Sequence, residues 1–234
     1  MTQSRRLTPV IALVAAAALL LAILGAAPAD AGSVRTYRVT ITNLTSGQPM
    51  TPFVVATHSG STGIFEVGSA ASPGLQALAE NGAAGVLAAE LGANPRVGDV
   101  AVAAPSPAGP FGPGESVWAD IVSNPGARKL SVAGMLICTN DGFGAIDSVQ
   151  LDNNGKTRTL FGFAYDAGTE INTEAYDDLV PPCDGLGQTG TSNPALAEGG
   201  VVHAHASIQG GADLFPGVHG WTGAVIEVTI EALG

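Results

Sequence analysis

The last segment of the chain alternates apolar and polar residues with a period of two. Residues 224–232 read AVIEVTIEA, in which every second residue from Ile226 onward is apolar and the residues between are Glu or Thr. Because successive side chains of a strand point to opposite faces, this pattern predicts a strand with one buried and one solvated face. Such a strand folds only when others pair with it, so the rest of the chain must supply them.

Similar short runs recur along the chain, separated by turns rich in Gly and Pro. The sequence Asn153-Asn154-Gly155 between two of them is a strong signal for a β-hairpin turn. Eight or nine short strands of this kind predict an all-β fold, an antiparallel β-sandwich of about eight strands. The runs lie at residues 35–43, 52–57, 100–104, 116–122, 129–138, 146–151, 157–164, 201–209 and 224–232.

One segment has a helical rather than a strand pattern. Residues 74–91 carry leucines at roughly helical spacing. Ser72 is suited to cap the N-terminus of a helix, and Pro73 to occupy its first position. Since Gly82 and Gly85 interrupt the segment, we expect one or two short helices inserted among the strands.

The N-terminus has the features of an export signal. Arg5 and Arg6 precede an apolar run at residues 10–24, and Ala29-Asp30-Ala31 offers small residues to a signal peptidase. We therefore expect a signal peptide at residues 1–31, cleaved after Ala31, and a secreted or periplasmic protein. An uncleaved anchor is the alternative.

The remaining 203 residues, 32–234, are enough for one domain with a sizeable core. They keep seven basic and nineteen acidic residues, a formal charge of −12. Nucleic acid and anionic membranes both require a basic surface, so neither is an expected partner. No second apolar run of spanning length follows residue 32, and the mature chain is expected to lack a transmembrane segment.

The two cysteines of the chain, Cys138 and Cys183, enclose an acidic region. Outside the cytosol such a pair usually forms a disulfide, although two buried free thiols are the alternative. Between them lie eight carboxylates and two basic residues, Lys156 and Arg158. Like charges at this density require solvent screening or a cation, and carboxylate oxygens suit Ca²⁺. Charge density alone does not distinguish a solvated acidic face from a metal site.

Several strings of the sequence, in order, resemble the spondin N-terminal domain family, found in F-spondin, mindin and secreted bacterial proteins. The opening segment 37–43 (YRVTITN) leads into DGFGAIDSV at 141–149, which is similar to the family's Ser-Pro-Asp-Trp and Val-Asp-Ser-Leu segment. DAGTE at 166–170 resembles its Asp-Ala-Gly-Thr-Asp motif. Residues 205–230 are similar to the C-terminal strands of bacterial members. The resemblance covers about residues 34–233.

The resemblance implies an antiparallel β-sandwich that binds Ca²⁺ in loops at one end. Its ligands, transferred to this chain, are Asp141, Asp166 and Glu170. The chain departs from the family in two ways, since residues 139–142 lack the proline and tryptophan, and Glu170 replaces an aspartate. The longer glutamate moves the carboxylate, which implies a weaker site or an adjusted loop. For Asp147, we favour a role in a turn over ligation.

Two histidines suggest a different metal. His203 and His205 share one face of a predicted strand, and His58 and His219 are candidates for further ligands. This arrangement would suit a secreted copper or zinc β-sandwich, an oxidoreductase similar to superoxide dismutase. The alternative is that they are ordinary hydrogen-bonded strand histidines, since the further His and Asp ligands are not found at dismutase spacings.

The sequence thus predicts an exported, non-catalytic calcium-binding β-sandwich module for extracellular binding or adhesion. No serine-nucleophile elbow or phosphate-binding loop is present in the sequence. The partner, an extracellular glycan, lipid or protein, is not specified by the residues. The Gly-, Ser- and Thr-rich segment 185–200 is expected to be a binding element or a tether.

Overall fold

The computed structural model describes residues 33–60, 62–152, 154–183 and 193–233. The expected signal peptide, its cleavage site and the first half of segment 185–200 lie outside these residues. Within them, the chain forms three α-helices and nine strands. The strands are β1 (Arg35–Asn43), β2 (Phe53–His58), β3 (Val97–Ala103), β4 (Ser116–Ser123), β5 (Lys129–Met135), β6 (Gly142–Gln150), β7 (Arg158–Asp166), β8 (His203–Ala204) and β9 (Ile226–Ala232).

The strands form one antiparallel sheet in the order β3-β2-β5-β6-β7-β9-β1-β4, with β8 paired to β7. The sheet folds back until its two end strands approach each other: the Val122 N–H donates to Asp99 Oδ2 at 2.8 Å, and the Thr57 hydroxyl to the Val122 carbonyl at 2.7 Å. The predicted all-β antiparallel sandwich is confirmed, in a nearly closed form.

β7 joins the two halves of this sheet. Its first residues, Arg158 to Gly162, pair with β9, whereas its last residues, Phe163 to Asp166, pair with β6. The strands on either side of the hairpin signal are therefore antiparallel neighbours, as predicted, but they pair at the end far from the turn. This arrangement brings the start of β6 and the end of β7 together at one end of the sandwich.

The main core lies between the two halves of the sheet. The alternating residues of β1 and β9 point into it, as the sequence pattern predicts, and aromatic side chains of the neighbouring loops fill it. Burial of apolar surface in this core stabilises the fold by about 25 cal/mol per Å². Its largest members include Ile41, Phe53, Ile121, Leu130 and Leu136.

A second core packs two helices against the outside of β2, β5 and β6. They are α1 (Pro73–Asn81) and α2 (Ala84–Gly92), and their leucines are buried. As predicted, the Ser72 hydroxyl accepts the Leu75 N–H at 3.1 Å and caps α1. Gly82, with φ +65°, ends α1 in the left-handed conformation that glycine adopts readily. The third helix, α3 (Pro216–His219), is a single turn.

A third cluster surrounds the predicted disulfide. Cys138 and Cys183 are bonded, with their Cα atoms 5.2 Å apart, and both are fully buried. The bond ties the chain just before β6 to the segment after β7. None of the helices in the described residues is long and apolar enough to cross a membrane.

One predicted strand is much shorter than its pattern suggests. Segment 201–209 forms only the two-residue β8, whose His203 pairs with Asp166. The His205 N–H still donates to the Ala164 carbonyl of β7 at 3.1 Å. The chain then turns: Ser207 takes the left-handed conformation, at φ +67°, and its N–H donates to His205 Nδ1 at 3.0 Å. The alternation thus reflects partial burial beside the sheet rather than a full strand.

Candidate functional site

The register of β6 and β7 brings two of the predicted ligands together. Gly142 pairs with Asp166, so Asp141, one residue earlier, lies beside the turn that follows β7. The Ala167 N–H donates to the backbone carbonyl of Asp141 at 3.1 Å and fixes this contact. Two aspartates far apart in sequence thereby meet at one end of the sandwich.

The carboxylate of Asp141 is fully buried, with 0% of the residue exposed. Its Oδ2 accepts three hydrogen bonds: the Thr169 N–H at 2.7 Å, the Glu170 N–H at 3.0 Å and the Thr169 hydroxyl at 3.2 Å. Its Oδ1 has no hydrogen-bond partner among the described residues. A buried carboxylate oxygen without a partner is costly, because it has lost its hydration without replacement.

Burial and, second, the neighbouring carboxylate of Asp166 raise the pKa of Asp141 to about 6, even though the hydrogen bonds from Glu170 and Thr169 lower it. The ionised form of Asp141 is therefore held in an unfavourable environment near neutral pH. Either a proton or a cation relieves the cost.

Asp166 is 1% exposed, and both of its oxygens are used. Oδ1 accepts the Gly168 N–H at 2.7 Å, and Oδ2 accepts the side-chain amide of Asn172 at 2.6 Å. His203 Nδ1 lies 3.7 Å from Oδ1 and also 2.9 Å from the carbonyl of Val201. Each carboxylate oxygen has two lone-pair positions or more, so Asp166 retains capacity to bind a cation.

Glu170, the third predicted ligand, is 2% exposed. Its Oε1 accepts the Asn193 N–H at 2.8 Å, whereas Oε2 has no partner among the described residues. Burial raises the pKa of Glu170 to about 7, opposed by the Asn193 N–H and supported by the carboxylates of Glu80 and then Asp141. The carboxylate of Glu80, in α1, therefore raises the pKa of Glu170 more than the carboxylate of Asp141 does.

The three acids do not converge on one point. We looked for three or more acidic, His or Cys side chains whose ligand atoms all lie within 4.8 Å of one another. In the described parts of the chain, Cys138, Cys183 and His219 form such a group, and the three predicted ligands do not. The carboxylate of Asp166 raises the pKa of Asp141, whereas Glu170 lines a cavity together with Gln76 and Glu80 of α1. The structure thus places the predicted ligands in one acidic region without closing them around a single ion.

The Cys138, Cys183 and His219 group is unsuited to metal. The two sulfurs are bonded to each other. His219 Nδ1 accepts the Phe215 N–H at 2.9 Å, which puts the proton of the neutral ring on Nε2. Neither ring nitrogen then offers a free lone pair, so these buried residues form a structural cluster.

Of the histidine pair in the alternative hypothesis, His205 has the same difficulty. His205 Nδ1 accepts the Ser207 N–H, so its Nε2 carries the proton in the neutral ring, and burial lowers the pKa of His205. The ring lies 5.1 Å from that of Trp221. His203 is exposed and directed to the Val201 carbonyl, whose hydrogen bond raises the pKa of His203. This geometry does not favour a copper or zinc site.

Sequence reasoning missed a buried network of His58, Ser131 and Asp147. The Ser131 hydroxyl lies 2.7 Å from His58 Nε2 and donates to Asp147 Oδ1 at 2.7 Å. The serine stands between the histidine and the aspartate and is fully buried, so it is not a catalytic nucleophile. Asp147 also accepts the Ile64 N–H at 3.0 Å and the Ser148 hydroxyl at 2.6 Å. Asp147 thus fixes a loop away from the other acids.

Comparison with known proteins adds no family to these observations. A scan against protein-family models gives no match, and a search of curated proteins finds no relative.

Proposed function

We propose that this chain is an exported, non-catalytic calcium-binding β-sandwich module of the spondin type, acting in extracellular binding or adhesion. The observation that carries the proposal is the unpartnered, fully buried Oδ1 of Asp141 beside the carboxylate of Asp166. Burying two such anions side by side is unfavourable unless a cation accompanies them.

The donor set supports a hard cation. Two of the four buried polar atoms without partners in the described residues belong to Asp141 and Glu170, two of the three predicted ligands. Oxygen donors of carboxylates, carbonyls and hydroxyls are those that Ca²⁺ takes, six to eight at a time, in flexible geometry. Asp141, Asp166 and Glu170 would hold the ion, with Glu170 the ligand that must move most.

Calcium would neutralise the acids where the start of β6 meets the turn after β7. Neutralisation would stabilise the loops at this end, which are the surface a partner would contact. The partner, an extracellular glycan, lipid or protein, is left open by the chemistry. Export is supported by the buried disulfide, a bond that forms and persists in oxidising compartments.

The test is the thermal midpoint of residues 32–234 in chelator, in millimolar Ca²⁺ and in Mg²⁺, together with calorimetric titration. Ca²⁺ at 100 times its dissociation constant adds about 2.7 kcal/mol, a rise of about 5 to 10 °C for a chain of this size. Mg²⁺ should not reproduce the shift, because it demands a tighter octahedral site. No shift and no binding heat with Ca²⁺ would refute the proposal.

Three variants locate the effect. Asp141→Asn should abolish the calcium shift, whereas Asp177→Asn, which changes an exposed acid of the same region, should retain it. The double variant His203→Ala with His205→Ala should also retain it. Loss of bound metal in the histidine variant alone would favour the copper or zinc alternative instead.

A further inference from the structure

A cavity of about 180 Å³ lies between α1 and the turn that carries Glu170. Two carboxylates line it, those of Glu80 and Glu170, together with the side chains of Gln76 and Asn193. None of the described lining residues is basic. The cavity therefore presents negative charge and amide groups to whatever enters it.

The position of Glu80 is unfavourable for the stability of the helix. It lies in the last turn of α1, which has no basic residue, and the negative end of the helix dipole repels an anion there. It is also only 6% exposed, and its Oε1 accepts the side-chain amide of Gln76 at 2.8 Å. Packing alone does not explain a carboxylate at this position.

Glu170 supplies an independent observation on the opposite wall. It is 98% buried, it lines the same cavity, and its Oε2 has no hydrogen-bond partner in the described part of the chain. An unsatisfied buried carboxylate oxygen beside a cavity requires a donor from outside the fold. Glu80 and Glu170 together thus require a cationic, hydrogen-bond-donating group.

The dimensions favour an organic cation over a bare metal ion. At about 30 Å³ per water, the cavity has room for about six water molecules, more than one ion occupies. Among the described residues, Glu80 and Glu170 belong to no group of three acidic, His or Cys side chains whose ligand atoms all lie within 4.8 Å of one another. A guanidinium group presents five N–H donors in a planar fork and pairs with carboxylates in more than one direction.

We infer that this cavity binds the guanidinium group of an arginine side chain presented by a partner polypeptide. The formal charge of the whole chain, −11, attracts a basic partner over a longer range. The cavity then provides the specific contact, with Glu80 and Glu170 on opposite sides of the planar group. This inference concerns a different ligand from calcium and holds for the metal-free protein.

The test uses Nα-acetyl-arginine amide as the probe, titrated in chelator into isotopically labelled residues 32–234 and followed by NMR. We expect saturable shifts of the Thr169, Glu170 and Asn193 amides. Nα-acetyl-citrulline amide, the neutral isostere, should bind at least tenfold more weakly. Glu80→Gln keeps the size of the side chain and should weaken arginine binding at least tenfold, whereas Glu66→Gln, an exposed acid elsewhere, should not change it.

Two results would overturn the inference: absence of saturable shifts in the parent protein, or equal binding of the citrulline and arginine probes. Retained affinity in Glu80→Gln would overturn it as well, once an unchanged amide spectrum shows that this variant is folded. Nα-acetyl-lysine amide distinguishes a guanidinium site from a general cation site, and we expect it to bind more weakly. Because the titration is run without calcium, failure here leaves the calcium proposal intact, and the reverse also holds.

Discussion

The carboxylate of Asp141 accepts the backbone N–H of Glu170 at 3.0 Å, across 29 residues of sequence. It accepts the Thr169 N–H as well, at 2.7 Å. One predicted ligand therefore holds in place the turn that carries another. Asp141 has two separable roles, as a hydrogen-bond acceptor for this turn and as a buried negative charge.

Replacing Asp141 in two ways separates these roles. Asp141→Asn keeps a carbonyl oxygen for the two N–H groups and removes the charge, so in chelator at pH 7.5 it should be as stable as the parent or more stable. Asp141→Ala leaves both N–H groups without their acceptor and should cost about 2 to 4 kcal/mol. Urea unfolding in chelator measures the difference. Equal losses in the two variants would mean that the hydrogen bonds do not hold the turn.

The raised pKa values of Asp141, about 6, and Glu170, about 7, predict how the stability of the metal-free protein depends on pH. The folded state binds protons more tightly than the unfolded state, whose carboxyls titrate near 4. Between about pH 4 and 7 these two groups therefore make the free energy of unfolding fall as pH rises. Each pKa unit corresponds to about 1.4 kcal/mol.

Thermal midpoints in chelator across this range should reveal that fall, and Asp141→Asn should make it shallower. Saturating Ca²⁺ should abolish or reverse the fall, since bound cation favours the ionised carboxylates. The other carboxylates of the chain contribute their own pH dependence, so the comparison between parent and variant is the informative measurement. Identical slopes in the two would contradict the raised pKa of Asp141.

Much of the fold follows from the sequence because its signals are local. The alternation in β1 and β9, the cap at Ser72 and the break at Gly82 each depend on a few neighbouring residues. The path of β7 between two halves of the sheet does not, since it depends on which distant strands pair with each end. The shortness of β8 likewise comes from its surroundings rather than from its own pattern.

The site was predictable in part. The motif pointed to Asp141, Asp166 and Glu170, and the structure places all three in one buried acidic region. The sequence does not indicate that the carboxylate of Glu80 raises the pKa of Glu170 more than that of Asp141 does, because Glu80 lies 90 residues before Glu170 in the chain. Nor did it reveal Glu174, whose buried carboxylate accepts the N–H groups of residues 209–211.

Removing the disulfide should destabilise the fold. The double variant Cys138→Ala with Cys183→Ala releases a loop of 45 residues in the unfolded state, for which chain entropy predicts a loss of roughly 4 kcal/mol. Urea unfolding of the variant measures it. The parent unfolded in the presence of a dithiol reductant should approach the same value. A loss below about 1 kcal/mol would show that the unfolded chain is already compact.

The buried network around Ser131 should contribute to stability independently of calcium. Ser131→Ala removes the hydroxyl that contacts His58 Nε2, donates to Asp147 Oδ1 and accepts the Ser148 N–H at 2.9 Å. Leaving such buried polar groups without a partner should cost about 2 to 3 kcal/mol.

Ser116→Ala, on the exposed side of β4, is the matched control for Ser131→Ala and should change stability by less than about 0.5 kcal/mol. The midpoint of urea unfolding compares the two. Within the described residues no hydrogen bond joins Ser131 to Asp141 or Asp166. The rise in thermal midpoint expected with calcium should therefore be the same in both variants and in the parent. A smaller rise with calcium in Ser131→Ala alone would show that the network and the acidic region are coupled. Equal urea midpoints for Ser131→Ala and Ser116→Ala would show that the network adds no stability.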